Sequence, residues 1–398
     1  MKALDEVRKQ EQREELDRAK FRKRRYRLKA KRLATAAIIV LAVLVTAFIM
    51  LRAWKNRSYT EMVELTKAEW SLPERARVIP YGSDFITYSA DGIHCSNSLG
   101  DDVWSLSYIM QEPEVKVNGN YVAVADRGGR TIYVCDKSGK VGEISTGSPV
   151  QDICVSAGGV VAAVLDESSV TPVCLYYHDG TRISYFRTTM SRSGYPAAIG
   201  ISPDGKLVGV SYFYTDNGHI TSKLAFYNFG EVGKNEADNL VSGYDYQSEI
   251  VPMVEFMDDE AAFAVANDRL MFYSGSQRPV NTANIMLREE IRSVYYGKEY
   301  VGLVYYDRSG EGRYRLDVYN RKGEQESSII LDMEYSDIVF TGDRILVYNA
   351  SGCVIYTAKG IKRYEGSFSE PVYLCMPTAS ELKYVLVTGD GISSVQLR

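Results

Sequence analysis

A short apolar run recurs eight times along the chain and constrains the fold more than any other feature. The runs begin at residues 85, 121, 160, 207, 261, 300, 345 and 384, and successive starts lie 36, 39, 47, 54, 39, 45 and 39 residues apart. An internal repeat with a period of about 20 to 50 residues is typical of proteins that stack similar supersecondary units. The chain is therefore expected to be an array of such units.

Each repeat contains at least three predicted β-strands. Segments such as "VQDICVS" precede the apolar run, segments such as "TIYVCD" follow it after a turn, and a weaker fourth strand such as "KVGEIS" comes next in several copies. A lone four-stranded sheet buries neither face, so such sheets stack around a common axis. The pattern predicts an all-β protein with the β-propeller fold, with eight blades and seven as the alternative. A sandwich or a two-domain arrangement would not predict eight such evenly spaced segments.

The last repeat lacks its outer strand, because the chain ends in "SSVQLR", the third strand of the eighth repeat. We expect the segment "SYTEMVELTKAEW", residues 58–70, to supply that strand and to pair the exposed edge. The predicted organisation is a basic helical tail over 1–32, a transmembrane helix over 33–52, a linker with the closing strand over 53–72, and the propeller over 73–398.

Residues 33–51 form an uncharged apolar run, "LATAAIIVLAVLVTAFIML", that is long enough to cross a bilayer as a helix. Ten basic residues and no acidic residue occupy positions 18–32, whereas three basic residues follow the run by position 57. This asymmetry predicts a cytoplasmic amino terminus and a propeller outside the cell membrane. It also predicts contact with anionic lipid, and not with nucleic acid. The lipid contacts are expected at Lys23, Arg24, Arg25 and Arg27.

The segments "SRSGYPAAIGISPDGKLVGVSY", "KLAFYNFGEVGKNEADNLVSG", "IVPMVEF" and "YVGLVYY", together with the basic tail and the apolar run, resemble a bacterial family of unknown function. The members of this family look like single-pass, membrane-anchored propellers of Gram-positive anaerobes. The resemblance implies the fold and the anchor but no activity, cofactor or functional residue. More distantly, the repeats are similar to quinoprotein-like and WD40-like propellers, although the Trp-Asp dipeptide of the latter is missing.

The sequence contains no recognisable catalytic or cofactor motif. His94, His178 and His219 are scattered over different repeats without metal-ligand spacing, so neither a metal nor a cofactor is expected. The six cysteines all lie in or beside apolar strands, which favours reduced thiols that pack as small core residues. No disulfide is therefore expected. The catalytic residues, if the protein is an enzyme, are not identified by the sequence.

Two functions stay open at this point. The missing motifs favour a binding or scaffold module for an envelope protein or polymer, and the alternative is a hydrolase or lyase whose active site is built in the central funnel by several blades. Long loops of the fourth and sixth repeats are expected on one face, where they would form a binding surface. The candidate residues are Arg192, Tyr195, Tyr214, Asp216, Asn217, His219, Tyr244, Tyr246 and Arg308. The plainer interpretation is that these loops only pack on each other.

Overall fold

The computed structural model describes residues 20, 35, 38–50, 57–167, 170–188, 194–216, 218–247 and 249–398. The chain divides into two compact units, residues 1–58 and 59–398. In the first unit, residues 38–50 are helical. No helix among the described residues is both long and apolar enough to cross a membrane. The predicted span over 33–52 lies partly outside the described residues, and the four predicted lipid contacts lie outside them entirely.

The second unit consists of eight four-stranded antiparallel sheets, the eight blades that the sequence predicts. Blades one to four comprise β2 (Arg77–Tyr81), β3 (Asp84–Ser89), β4 (Gly92–Ser96), β5 (Asp102–Ser107); β6 (Pro113–Asn118), β7 (Tyr121–Asp126), β8 (Thr131–Asp136), β9 (Gly139–Ser145); β10 (Val150–Val155), β11 (Val161–Leu165), β12 (Thr171–Tyr176), β13 (Arg182–Thr188); and β14 (Tyr195–Ile201), β15 (Leu207–Asp216), β16 (His219–Asn228), β17 (Leu240–Tyr246).

Blades five to eight repeat the same order, and two short 3-10 helices, Gly233–Asn235 and Ala237–Asn239, precede β17. These blades comprise β18 (Met253–Phe256), β19 (Ala261–Val265), β20 (Arg269–Ser274), β21 (Val280–Met286); β22 (Ser293–Tyr296), β23 (Tyr300–Tyr306), β24 (Tyr314–Asn320), β25 (Gln325–Leu331); β26 (Asp337–Thr341), β27 (Arg344–Tyr348), β28 (Gly352–Thr357), β29 (Lys362–Ser367); and β30 (Val372–Pro377), β31 (Lys383–Thr388), β32 (Gly391–Leu397), with β1 (Met62–Glu69) as the outer strand.

The first strand of the chain completes the last blade. β1 pairs antiparallel with β32, from Met62 opposite Leu397 to Glu69 opposite Gly391. This strand lies within residues 58–70, the segment from which the sequence analysis expects the closing strand. Its pairing covers the edge of β32 and joins the two ends of the propeller, so the ring is closed by hydrogen bonds between its first and last strands.

Hydrophobic clusters fill the space between neighbouring blades around the whole ring. The second strand of each blade is apolar on both faces because the adjacent blades cover both of them; all five residues of β11, for example, are buried. One cluster joins blade eight to blade one, where Phe85 packs with Leu374 and Met376. The core is therefore continuous across the junction that β1 closes.

The blades present two faces, which differ in the loops that they carry. The upper face carries the links into each first strand and the turns between second and third strands, and the lower face carries the other two turns of each blade. The sequence "PDGK" forms a lower-face turn, in which Gly205 has a φ of +74° that favours glycine. Because Met62 pairs with the last residue of β32, the chain enters the propeller on the lower face.

The six cysteines are free thiols in the structure, and five of them are buried. Burial raises the pKa of Cys95 to about 11 and that of Cys135 to about 12, which keeps both thiols protonated. They pack as small apolar residues, as the sequence analysis expects. That the native protein forms no disulfide stays a prediction.

Candidate functional site

Blade four carries the longest hairpin on the upper face, and four of the predicted site residues that the structure describes lie on it or beside it. β15 and β16 each contain ten residues. Tyr195, the first residue of β14, lies with its ring centroid 5.4 Å from that of Phe213. Tyr214 lies on β15, and the exposed His219 begins β16 opposite Asp216. The hairpin thus presents polar and aromatic groups at its tip. Arg192, Asn217 and the side chain of Asp216 lie outside the described residues.

Tyr244 and Tyr246 pack between blades four and five. The Tyr244 hydroxyl donates a hydrogen bond to the Pro279 carbonyl at 3.0 Å and accepts one from the Asn281 backbone N–H at 3.0 Å. The Tyr246 hydroxyl shares a hydrogen bond of 2.6 Å with Tyr273. For these two tyrosines the plainer interpretation describes the contacts better, because their hydroxyl groups join neighbouring blades.

Arg308 belongs to a separate part of the upper face. It lies in the turn between β23 and β24, its side chain is 74% exposed, and its Nε is 3.6 Å from a carboxylate oxygen of Glu289. Blade five separates it from the hairpin of blade four. The structure therefore does not bring all nine predicted residues into one surface.

A second group of upper-face residues, which we name the Tyr–Arg cluster, consists of Arg292, Tyr306, Tyr314 and Tyr335. The Arg292 guanidinium carbon lies 5.0, 4.7 and 5.7 Å from the ring centroids of Tyr306, Tyr314 and Tyr335. Arg292 donates hydrogen bonds to the Tyr306 hydroxyl and, at 3.1 Å, to the Tyr335 hydroxyl. These contacts hold one cation among three aromatic rings.

The cluster joins two blades and is anchored by an acidic neighbour. Tyr306 and Tyr314 are opposite each other across the β23–β24 hairpin, while Tyr335 lies in the link to blade seven. Tyr314 donates a 2.6 Å hydrogen bond to Glu334, which lowers the pKa of that carboxyl below its ordinary value. Tyr306 remains 59% exposed. The cluster therefore presents an aromatic ring to solvent on a rigid base.

Ionisable side chains also lie on the innermost strands. Lys116 on β6 pairs with Glu114 at 3.1 Å, Asp152 lies on β10 and Glu255 on β18. Burial raises the pKa of Asp152 from 3.8 to about 6 and that of Glu255 from 4.5 to about 7, although Lys116 lowers both. A hydrogen bond to Tyr296 on β22 also favours the ionised form of Glu255.

These groups come from blades two, three, five and six, so their electrostatic interactions cross the centre of the ring. They form a charged cluster with carboxyl groups that titrate near neutral pH. In the part of the chain that the structure describes, no group of three or more His, Cys, Asp or Glu residues is arranged to hold a metal ion.

The fold and these surfaces define the class of the protein: an eight-bladed β-propeller closed by its own first strand. The chain belongs to the Family of unknown function (DUF5711), which matches residues 55–397. This agrees with the resemblance drawn from the sequence segments. No curated protein matches the chain.

Solved structures with the same architecture share little sequence with this chain. BamB from Moraxella catarrhalis has a TM-score of 0.51 at 13% identity, covering 85% of this chain and 100% of that one. The computationally designed protein Ika8 has a TM-score of 0.50 at 9% identity, covering 86% and 100%. Apo AztD from Citrobacter koseri has a TM-score of 0.51 at 11% identity, covering 74% and 87%. At these identities the similarity shows the fold alone.

Proposed function

We propose that this protein is a binding module, tethered to the cell membrane, whose upper face holds an envelope protein or polymer. The observation that carries the proposal is the Tyr–Arg cluster. Tyrosine and arginine are the residue types that most often dominate the binding free energy of protein interfaces. A tyrosine ring also offers a large contact area with few rotatable bonds.

The contacts of the cluster support this role, because they fix its side chains before a partner arrives. Arg292 is exposed, yet it is held by two tyrosine hydroxyls, and Tyr314 is held by Glu334. Little conformational entropy would then be lost on binding. The exposed ring of Tyr306 is the part of the cluster best placed to contact a partner.

A photo-crosslinking amino acid at position 306 of the full-length protein, in its native membrane, is expected to capture a recurrent partner. Arg292→Ala should lower the crosslink yield about fivefold or more, the change that corresponds to about 1 kcal/mol of binding free energy. The yield is measured by mass spectrometry of the crosslinked species. Digestion with protease or glycosidase then separates a protein partner from a polymer.

The matched control places the same crosslinker at Tyr177, a tyrosine that is 50% exposed at the lower-face end of blade three. Position 177 should not capture the species seen at 306. Identical capture at both positions, or a yield at 306 that Arg292→Ala leaves unchanged, would contradict the proposed binding face.

The tether is supported by two observations on the first unit. The apolar run of nineteen residues carries no charge, and ten basic residues precede it against three that follow. The helix over 38–50 exposes ten large apolar side chains, which need an apolar environment. These side chains are Ile38, Ile39, Val40, Leu41, Val43, Leu44, Val45, Phe48, Ile49 and Met50. In this proposal the propeller lies outside the cell, and Lys23, Arg24, Arg25 and Arg27 contact anionic lipid at the cytoplasmic surface.

Protease added to intact cells without their wall should remove the propeller and leave the amino-terminal tail protected, because the charge asymmetry keeps the tail in the cytoplasm. Immunoblotting with one epitope at each terminus measures both fragments. Permeabilised cells, in which both epitopes should be lost, serve as the control. Protection of the carboxy-terminal epitope in intact cells would reverse the topology.

A hydrolase or lyase with an active site in the central funnel is a second candidate, and the carboxyl groups of Asp152 and Glu255 favour it. Catalytic acids and bases are often carboxyl groups whose pKa burial has raised towards neutrality. Lys116 and Tyr296 would supply further proton donors beside them. A catalytic role for Glu255 predicts that Glu255→Gln abolishes turnover and leaves the crosslink at position 306 unchanged.

A further inference from the structure

A cavity of about 530 Å³ opens on the upper face between blades one and two. It lies between the link into β2, the β3–β4 turn and the link into β6, and Tyr88 and Val115 form part of its apolar wall. This volume is within the range of sites that bind small molecules or short peptides. The Tyr–Arg cluster is on blade six, so the two features are separate.

Charged side chains of both signs line this cavity in equal number. Four are basic and four acidic: Arg75, Arg77, Lys116 and Arg127, and Glu74, Asp91, Glu112 and Glu114. Only Lys116 and Glu114 form an ion pair, at 3.1 Å. The other six make no ion pair and no side-chain hydrogen bond with any residue that the structure describes. Three guanidinium groups and three carboxylates are therefore open to a ligand.

The balance of charge selects the kind of ligand. A polyanion would meet four carboxylates, and a polycation would meet three arginines and a lysine, so the cavity disfavours both by like-charge repulsion. A ligand that carries one negative and one positive group can pair with the basic and the acidic side chains of the cavity at the same time. A guanidinium group binds a carboxylate through two parallel hydrogen bonds, and an aspartate or glutamate accepts hydrogen bonds from an ammonium group.

The backbone at Arg75 supports a binding role for this residue. Arg75 has a φ of +60° and is one of three non-glycine residues with positive φ in the described chain; the other two are Asp238 and Asn239, whose residue types adopt this conformation more readily. Strained backbone of this kind concentrates at functional sites. Arg75 thus lies in the wall of the cavity at a backbone position that glycine would adopt with less strain.

We infer that this cavity binds a short peptide with free termini, with its carboxylate on the arginines and its ammonium group on the carboxylates. The aliphatic side chains of the peptide would lie against Tyr88 and Val115, and the Lys116–Glu114 pair would form the inner wall. This inference does not depend on the partner proposed for the Tyr–Arg cluster.

The test is calorimetric titration of the full-length protein in detergent with trialanine, whose termini are free, and with N-acetyl-trialanine amide, whose termini are blocked. Trialanine should bind, and the blocked peptide should bind at least about tenfold more weakly, because it lacks both charges. Arg77→Ala and Arg127→Ala should each weaken trialanine binding about fivefold or more. Arg130→Ala, which changes an exposed arginine on the same turn as Arg127 but outside the cavity, should leave it unchanged.

Arg75→Gly separates binding from stability. Glycine relieves the strained φ, so the Tm should stay the same or rise while trialanine binding falls. Equal affinity for the free and the blocked peptide, no binding of trialanine at millimolar concentration, or full binding by all three cavity variants would overturn the inference. Each of these outcomes leaves the crosslinking result at position 306 unaffected, so the two proposals fail independently.

Discussion

Replacing β1 by a Gly–Ser sequence of the same length in the full chain should lower the Tm of the propeller by about 8 °C or more. Seven residue pairs join β1 to β32. A Gly–Ser sequence behaves as flexible coil and disfavours the strand conformation, so we expect the replaced segment to leave the edge of β32. At about 0.5 to 1.5 kcal/mol net for each backbone hydrogen bond, the lost pairing contributes several kcal/mol, and a unit of this size loses roughly 1 °C for each 0.7 kcal/mol. Differential scanning calorimetry measures the change.

The residues that flank β1 contact further blades, and because β1 holds them in place, its undocking is expected to weaken their contacts as well. The Tyr59 N–H donates a 2.7 Å hydrogen bond to the Arg363 carbonyl of blade seven. Lys67 pairs with Glu370 at 2.5 Å beside blade eight, and the Trp70 ring lies edge-on to Phe85 of blade one at 5.3 Å. Loss of the segment would expose the edge of β32 and weaken the junction between blades eight and one.

The matched control replaces β21 in the same way. β21 is the outer strand of blade five, it contains seven residues, and like β1 it has no fully buried side chain. Its loss removes an outer strand without opening the ring. We expect a clearly smaller change in Tm for β21 than for β1. Equal losses would mean that β1 stabilises only its own blade and that closure adds nothing.

The number of blades could be predicted from the sequence because every blade has one strand that is covered on both faces. Such strands appear as uninterrupted apolar runs, for example "VVAAVLD" and "AAFAVAN", and their count is the count of blades. The closing strand was predictable for a different reason, since the last repeat lacks a partner for its edge. The length of the blade-four hairpin was less evident, because its alternating polar residues at 214–222 look like a loop.

The candidate site was harder to predict, because surface clusters depend on contacts between distant segments. The Tyr–Arg cluster joins residues 292, 306, 314 and 335, and their proximity follows only from the ring. A local signal existed in Tyr306 and Tyr314, which flank the turn "DRSGEGR" at paired positions. Conversely, Tyr244 and Tyr246 are close in sequence to a long loop, yet their hydroxyl groups join two blades.

The charged residues of the innermost strands left a weak signal of a similar kind. Asp152 in "VQDICVS" and Glu255 in "VPMVEF" are the single acidic residues of two mainly apolar first strands. A position that faces the centre of the ring tolerates a charge that the interface between blades would exclude. Aligning the first strands of the repeats would have identified both residues, but not the partial burial that raises the pKa of each carboxyl.

Glu255→Gln should stabilise the folded protein at alkaline pH and have little effect at acidic pH. Burial raises the pKa of Glu255 from 4.5 to about 7, so the folded state binds more protons than the unfolded state between these values. The contribution of Glu255 to the free energy of unfolding is therefore fully present below pH 4.5, where the group is protonated in both states. It is lost as the pH rises through 7, because the buried carboxyl must then ionise in the folded protein. For a fully buried carboxyl, a pKa shift of this size would lower the free energy of unfolding by about 3 kcal/mol at alkaline pH. Because Glu255 keeps partial access to solvent, we expect the gain in stability to be about 1 to 2 kcal/mol, which corresponds to roughly 1.5 to 3 °C in Tm.

The measured quantity is the Tm of the Glu255→Gln variant minus the Tm of the unmodified protein. Both are determined in the same detergent, once below and once above the interval between the two pKa values of Glu255. Taking the difference cancels the pH dependence of every other group that the substitution does not disturb, and glutamine keeps an acceptor for the Tyr296 hydroxyl. Glu381→Gln, at an exposed carboxylate, should give a difference near zero at both pH values. A Glu255→Gln difference in Tm that is equal at both pH values would show that folding does not raise the pKa of this carboxyl, and a difference that is more negative at alkaline pH would show that the carboxylate is stabilised in its ionised form. In that case Lys116 and Tyr296, rather than burial, would dominate the electrostatics at the centre of the ring.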